Sequence, residues 1–126
     1  MYPDDLKYSE THQWVRVQGD IATIGMTDYA QEQMGDLVYA EVPEAGRRLI
    51  AGEPFASIES VKAVQDLTAP VGGVVVESNS TLSDTPETVN RDPYGEGWLA
   101  KVEMEDAGEL KNLWTAQRYQ EFLKTL

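Results

Sequence analysis

The chain contains no cysteine, one histidine, and ten basic residues against 22 acidic ones. The absence of cysteine removes disulfides, thiolate nucleophiles, iron–sulfur clusters and cysteine-bound zinc, and the lone His12 removes any multi-histidine metal site. A formal charge of −12 opposes association with phosphate backbones and with the anionic face of a membrane, so neither nucleic acid nor a membrane is expected as a partner. Long apolar stretches are also missing. Runs such as Val74 to Val76 are far shorter than the roughly 20 residues needed to span a bilayer. The opening Met1-Tyr2-Pro3-Asp4-Asp5 is acidic where a signal or transit peptide would be basic, which reads as a soluble, cytoplasmic protein.

What is present is an ordinary globular composition: 126 residues, 41% hydrophobic and 25% charged. That length predicts one domain over residues 1–126 with enough chain to bury a core. Short apolar or β-branched runs recur between turn signals, predicting strands at 12–17, 21–25, 37–42, 55–59, 64–68, 73–77 and 99–103. Gly19-Asp20, Pro43-Glu44-Ala45-Gly46, Gly52-Glu53-Pro54 and Pro70-Val71-Gly72-Gly73 punctuate them as chain reversals. So many short strands imply a β-sandwich or barrel.

Helical patterning is sparse. Asp28 to Met34 predicts a two-turn helix that Thr27 caps and Gly35 ends. Near the C-terminus, Leu110, Leu113 and Trp114, then Ala116, Tyr119, Leu123 and Leu126 after Thr115, predict two short amphipathic helices. The polar stretch from Asn79 to Pro93 reads as a long surface loop. Gly95-Glu96-Gly97-Trp98-Leu99-Ala100 formally fits a dinucleotide fingerprint, but a proline-containing loop precedes it and a strand follows. It is therefore read as a glycine-rich turn that lets Tyr94 and Trp98 pack over a sheet. His12 beside Trp14 reads as a structural side chain without a catalytic role.

Lys62 stands out because it is the only lysine between Lys7 and Lys101. It lies in Ile58-Glu59-Ser60-Val61-Lys62-Ala63-Val64, between β-rich runs closed on each side by turn residues, as at the tip of a hairpin. An exposed amine on a stiff turn, with no acid or base partner and no pocket, suits an attachment point better than a catalytic amine. Composition alone favours a plainer reading, a helix on which Glu59, Lys62 and Asp66 form a surface ion-pair ladder. The β-branched Ile58, Val61 and Val64, with Pro70 and Gly72 close behind, count against that helix.

The sequence resembles the H-protein family of the glycine cleavage system, which are small lipoyl-carrying proteins. The resemblance rests on motifs spread along nearly the whole chain. They are His12-Gln13-Trp14-Val15, the run Ile24 to Gln31, Gly35-Asp36-Leu37-Val38, Glu59-Ser60-Val61-Lys62-Ala63, Ala69 to Gly73, Val89-Asn90, and Asp92 to Trp98. It implies a mainly β fold, the flattened barrel-sandwich hybrid of lipoyl and biotinyl domains with a few short helices, and it implies lipoate in amide linkage to Lys62. Val61 and Ala63 beside the lysine fit this family better than the methionines typical of biotinyl domains or the Asp-Lys-Ala of 2-oxo acid dehydrogenase lipoyl domains.

The resemblance further implies a carrier and not an enzyme. A pyridoxal-phosphate glycine decarboxylase (P protein) would load its arm with an aminomethyl group. A tetrahydrofolate-dependent aminomethyltransferase (T protein) would unload it, and dihydrolipoyl dehydrogenase (L protein) would reoxidise it. A lipoate ligase or lipoyl/octanoyl transferase would modify the chain, and the family implies a monomer. The same lysine motif also suits a relay that donates lipoyl or octanoyl groups to other lipoyl domains. From other classes, a small carboxylate-based hydrolase and an unmodified acidic interaction module remain as alternatives. Gln13 stands where the family usually has a glutamate that helps hold the charged aminomethyl end, and Asp66 matches a second acidic position near the arm.

Overall fold

A computed structural model describes residues 2–126. Its strands are β1 (Lys7–Tyr8), β2 (Gln13–Gln18), β3 (Ile21–Met26), β4 (Leu37–Glu41), β5 (Arg48–Leu49), β6 (Pro54–Ser60), β7 (Val64–Thr68), β8 (Gly73–Ser78) and β9 (Ala100–Met104). Three α-helices, α1 (Asp28–Met34), α2 (Thr88–Arg91) and α3 (Ala116–Leu123), join short 3-10 segments at Ser80–Ser83 and Ala107–Asn112. The strands form a six-stranded sheet in the order β1-β2-β3-β9-β8-β5 and a three-stranded sheet in the order β4-β6-β7. Every pairing within them is antiparallel. No helix among the described residues is long and apolar enough to cross a membrane.

Alternation along the strands builds the core, because successive side chains leave a strand on opposite faces. On β2, Val15 joins the main cluster between the sheets with Ile24, Met26, Val75 and Val102 of the larger sheet and Phe55, Ile58 and Leu67 of the smaller one. Its neighbour Trp14 points the other way, into a second cluster with Leu6, Tyr8, Ala116 and Tyr119 under α3. Each fully buried aliphatic side chain of this kind contributes on the order of 1.5–3 kcal/mol. Trp14 pairs directly with Gly25, where any larger residue would collide with the indole.

The helix predicted at 28–34 is present as α1. Thr27 Oγ1 accepts a hydrogen bond from Ala30 N at 3.3 Å, and Gly35 ends the helix at φ 79° while its N–H donates to Gln31 O. The stretch 79–93 is not an open loop. It contains the Ser80–Ser83 turn and α2, and Leu82 and Val89 are buried in the main core. The C-terminal pattern also resolves differently in part. Leu110 ends inside a 3-10 segment, Trp114 forms an isolated bridge with Tyr8, and only the second segment is an α-helix, with Leu126 exposed beyond it.

Candidate functional site

The β6–β7 hairpin carries Lys62. Glu59 pairs with Val64, and Ser60 N donates to Ala63 O at 2.8 Å, so Val61 and Lys62 are the two central residues of the turn. Neither has a positive φ, and the turn is shaped by serine instead. Ser60 Oγ accepts from Lys62 N at 3.3 Å and from Ala63 N at 3.2 Å, as serine often does at the first position of a turn. Ser60 is itself buried and pairs with Leu37 of β4. The base of the turn is therefore fixed while Val61 and Lys62 project into solvent.

The flank of the turn is built by α1 and its exit. A Cβ placed on Gly35 would lie 3.6 Å from Lys62 Cε and 3.9 Å from its Nζ, so the lysine side chain lies over the end of α1. Asn90 of α2 holds that junction from the other side. Its Nδ2 donates to Gly35 O and to Gln31 Oε1, each at 2.9 Å, and its Oδ1 accepts from Leu37 N at 2.9 Å. Three segments distant in sequence thus meet beneath one lysine, whose Nζ makes no hydrogen bond or ion pair among the described residues. The helical ladder of Glu59, Lys62 and Asp66 does not form, because these residues lie on β6, the turn and β7.

Gln13 lies elsewhere, at the start of β2 in the other sheet, and is buried. Its Oε1 accepts from Thr11 Oγ1 at 2.5 Å and Ser9 Oγ at 3.1 Å, and its Nε2 donates to Thr11 O at 2.8 Å. Both lone pairs of the amide oxygen are in use, so binding an ammonium would require displacing a hydroxyl. Asp66 is exposed on β7, opposite Ser57, and borders a groove of about 610 Å³ with Glu41, Glu44, Arg47 and Phe55. The Arg47 guanidinium there donates to the carbonyls of Phe55 and Pro54 at 3.3 and 3.2 Å.

His12 takes a structural position. Its Nδ1 lies 2.8 Å from Tyr119 Oη, and that hydroxyl lies 2.8 Å from Thr27 Oγ1, linking α3 to the cap of α1. Burial pushes the imidazole below its usual value and raises the phenols of Tyr8, Tyr94 and Tyr119, so these hydroxyls stay protonated hydrogen-bonding groups. Tyr94 Oη accepts from Asp28 N at 2.9 Å, and Tyr94 and Trp98 pack against the second cluster, as the glycine-rich turn predicts.

Sequence reasoning located the lysine but missed its supports. Serine at the head of a tight turn is a recognisable signal for Ser60. Nothing local to Asn90 points to Gly35 or Leu37, which are more than fifty positions away.

Two antiparallel sheets that do not close into a barrel, with short helices at the periphery, define the barrel-sandwich hybrid class of lipoyl and biotinyl domains. The family model described as "Glycine cleavage H-protein" matches residues 6–126. A glycine cleavage system H protein of Geobacillus sp. (strain WCH70) is 52% identical over 122 residues, covering 97% of this chain and 96% of the relative. The corresponding protein of Thermotoga maritima is 53% identical over 116 residues, covering 92% and 94%. Among solved structures, a glycine cleavage system H protein from Mycobacterium marinum superposes with a TM-score of 0.89 at 39% identity, covering 97% of this chain and 98% of that one. The chain belongs to the glycine cleavage H-protein family.

Proposed function

We propose that this chain is the lipoyl-carrying shuttle of the glycine cleavage system, with lipoate joined by an amide to Nζ of Lys62. The observation that carries the reading is a solvent-exposed lysine, free of partners among the described residues, on a turn whose base is fixed by Ser60 and Leu37. The residues present fit the group, since acylation needs an accessible primary amine and removes a charge that no neighbour depends on. Once attached, lipoate supplies a disulfide that accepts both the aminomethyl group and the electrons released by decarboxylation.

The chain's own contribution is presentation. Ser60 fixes the turn, Gly35 ends α1 beneath the lysine stem with a positive φ of 79°, and Asn90 holds the junction on which that stem lies. A stiff mount displays one amine out of the five lysines in the chain to a modifying enzyme, and afterwards a tether keeps the arm at high effective concentration near each site it visits. The partners in this reading are glycine decarboxylase, the tetrahydrofolate-dependent aminomethyltransferase, dihydrolipoyl dehydrogenase and a lipoate ligase or lipoyl/octanoyl transferase. The whole chain works as one monomeric unit in the cytoplasm, without an active site of its own.

The test is reconstitution with the three partner enzymes, glycine, tetrahydrofolate and NAD. Lipoylated wild-type protein is expected to support NADH formation, and Lys62→Arg to support none while keeping its native circular dichroism. NADH formation at the wild-type rate by Lys62→Arg would overturn the assignment.

A further inference from the structure

A second concentration of polar chemistry lies on the larger sheet, away from the hairpin that carries Lys62. Strand pairing sets Arg16 of β2 opposite Thr23 of β3, Thr23 opposite Lys101 of β9, and Lys101 opposite Glu77 of β8. Directly paired residues share a face, and Ile24 beside Thr23 enters the main core, so this row points outward. Two of the ten basic residues in a chain with 22 acidic ones thus flank a single hydroxyl. Neighbouring strands are about 4.8 Å apart, which puts the arginine and lysine backbones roughly 10 Å from each other, a gap that their long side chains span. Both cationic heads are held in place. Arg16 Cζ lies 5.0 Å from the Trp14 ring centroid and its Nη2 donates to Tyr94 O at 3.0 Å, while Lys101 Nζ lies 5.1 Å from the Trp98 ring centroid. Thr23 is only 5% exposed, yet its hydroxyl makes no hydrogen bond to another described residue and keeps an opening to solvent. Nearly all buried polar groups have a partner, and this one lies between two cations without one.

We propose that Arg16, Thr23 and Lys101 form a binding site for one phosphate group, carried either as inorganic phosphate or as a phosphate monoester. Charge and shape select the ligand. Two cations match a dianion, and a carboxylate offers only two oxygens in one plane. A phosphate offers an oxygen to each of the three donors and leaves the fourth toward solvent, where an ester substituent is carried. The guanidinium spends one N–H on Tyr94 O and keeps the rest of its fork for charge-assisted bonds, with Lys101 as a point charge and Thr23 as a neutral donor. Glu77 is the competitor in the row. Its Oε1 lies 3.6 Å from Lys101 Nζ, but the two side chains are 58% and 37% exposed, and an exposed pair of this kind is weak, so a dianion held by both cations displaces it. Glu103 stands in the next row, opposite Ile21, and with the overall charge of −12 it favours a single phosphate over an extended polyanion. The site is independent of the reading of Lys62, because β2, β3 and β9 belong to the other sheet.

The test is a titration of the isotope-labelled chain with inorganic phosphate at low salt, followed through amide shifts, with phenyl phosphate and acetate as parallel arms. Saturable shifts confined to β2, β3 and β9, with one millimolar Kd, are expected for phosphate. Tighter binding of phenyl phosphate would assign the site to monoesters, and weaker binding would assign it to the free ion. Arg16→Gln and Lys101→Gln are each expected to raise Kd by about tenfold and Thr23→Val by about threefold, as loss of a charged and of a neutral hydrogen bond does. Lys111→Gln, an exposed basic site in the 3-10 segment at Ala107–Asn112, is expected to leave Kd unchanged. Glu77→Gln removes the competitor and is expected to tighten binding by about threefold, an effect that impaired folding does not imitate. Melting curves taken alongside should rise with phosphate for wild type and far less for Arg16→Gln. Acetate binding as tightly as phosphate would overturn the proposal, as would a wild-type Kd in both Arg16→Gln and Lys101→Gln. Shifts scattered over the other basic residues, or no saturation, would equally overturn it.

Discussion

Gly25 and Trp14 face each other across β2 and β3, and the fit leaves no room for a methyl group. A Cβ on Gly25 would lie 2.5 Å from Trp14 Cε2 and Cζ2, while the indole is held by its Nε1 donating to Pro93 O at 2.9 Å and by Arg16 stacked 5.0 Å from its ring centroid. Gly25→Ala is expected to cost about 1–3 kcal/mol, read as a lower urea midpoint with a shifted tryptophan emission; an unchanged midpoint would contradict this packing. His12 makes a second residue-level case. Burial holds its folded-state value below the ordinary one of about 6.5, so between those two values the unfolded chain binds more proton. Its contribution is complete above about pH 6.5 and is lost as pH falls toward the folded-state value. Melting temperatures between about pH 8 and pH 5 should therefore fall more steeply for wild type than for His12→Asn, which tolerates the positive φ of 74° at this position. Parallel slopes would contradict the buried-imidazole account.

Among the elements, the β6–β7 hairpin depends on a clamp that lies outside it. Asn90 satisfies Gly35 O, Gln31 Oε1 and Leu37 N, and Leu37 pairs with Ser60 at the foot of the turn. Asn90→Ala leaves these groups without their partner and is expected to lower stability by about 1–3 kcal/mol, with faster amide exchange at Leu37. Exchange unchanged at Leu37 would remove Asn90 from the support of the turn. This clamp also marks where the sequence ceases to be legible. Strands with a run of β-branched residues, such as 21–25 and 73–77, were readable from local pattern, and so was α1 from Thr27 and Gly35. Lys7–Tyr8 and Arg48–Leu49 were not, because a two-residue strand has no period to detect. The stretch 79–93 looked like an open loop because its polar residues and Pro86 dominate, yet Leu82 and Val89, seven positions apart, are enough to anchor it once the core lies beneath them. Leu110, Leu113 and Trp114 have helical spacing, but pairing of Trp114 with Tyr8 outweighs it. Lys62 itself was legible through its isolation between turn signals, and Ser60 carries a local signal at the head of the turn, whereas Gly35 and Asn90 act through tertiary contacts that spacing does not encode.

At the scale of the whole molecule, folding and carrying are separable. The two apolar clusters hold the sheets and α3 together without any contribution from Lys62, which is exposed and without a partner among the described residues. Lys62→Arg is therefore expected to change stability by no more than about 0.5 kcal/mol, seen as an unshifted melting curve, while removing the only proposed attachment point. The charge of −12 fits the same division, since surfaces of one sign repel copies of themselves. The central claim is that this molecule exists to present one modified amine. Peptide mass spectrometry after incubation with lipoate, ATP and a lipoate ligase tests it most directly, with Lys62→Arg as the control. A single lipoyl adduct on the peptide containing Lys62, absent from the variant, is the predicted result. Well-folded protein that takes up no lipoyl group, or takes it up on another lysine, would contradict the account.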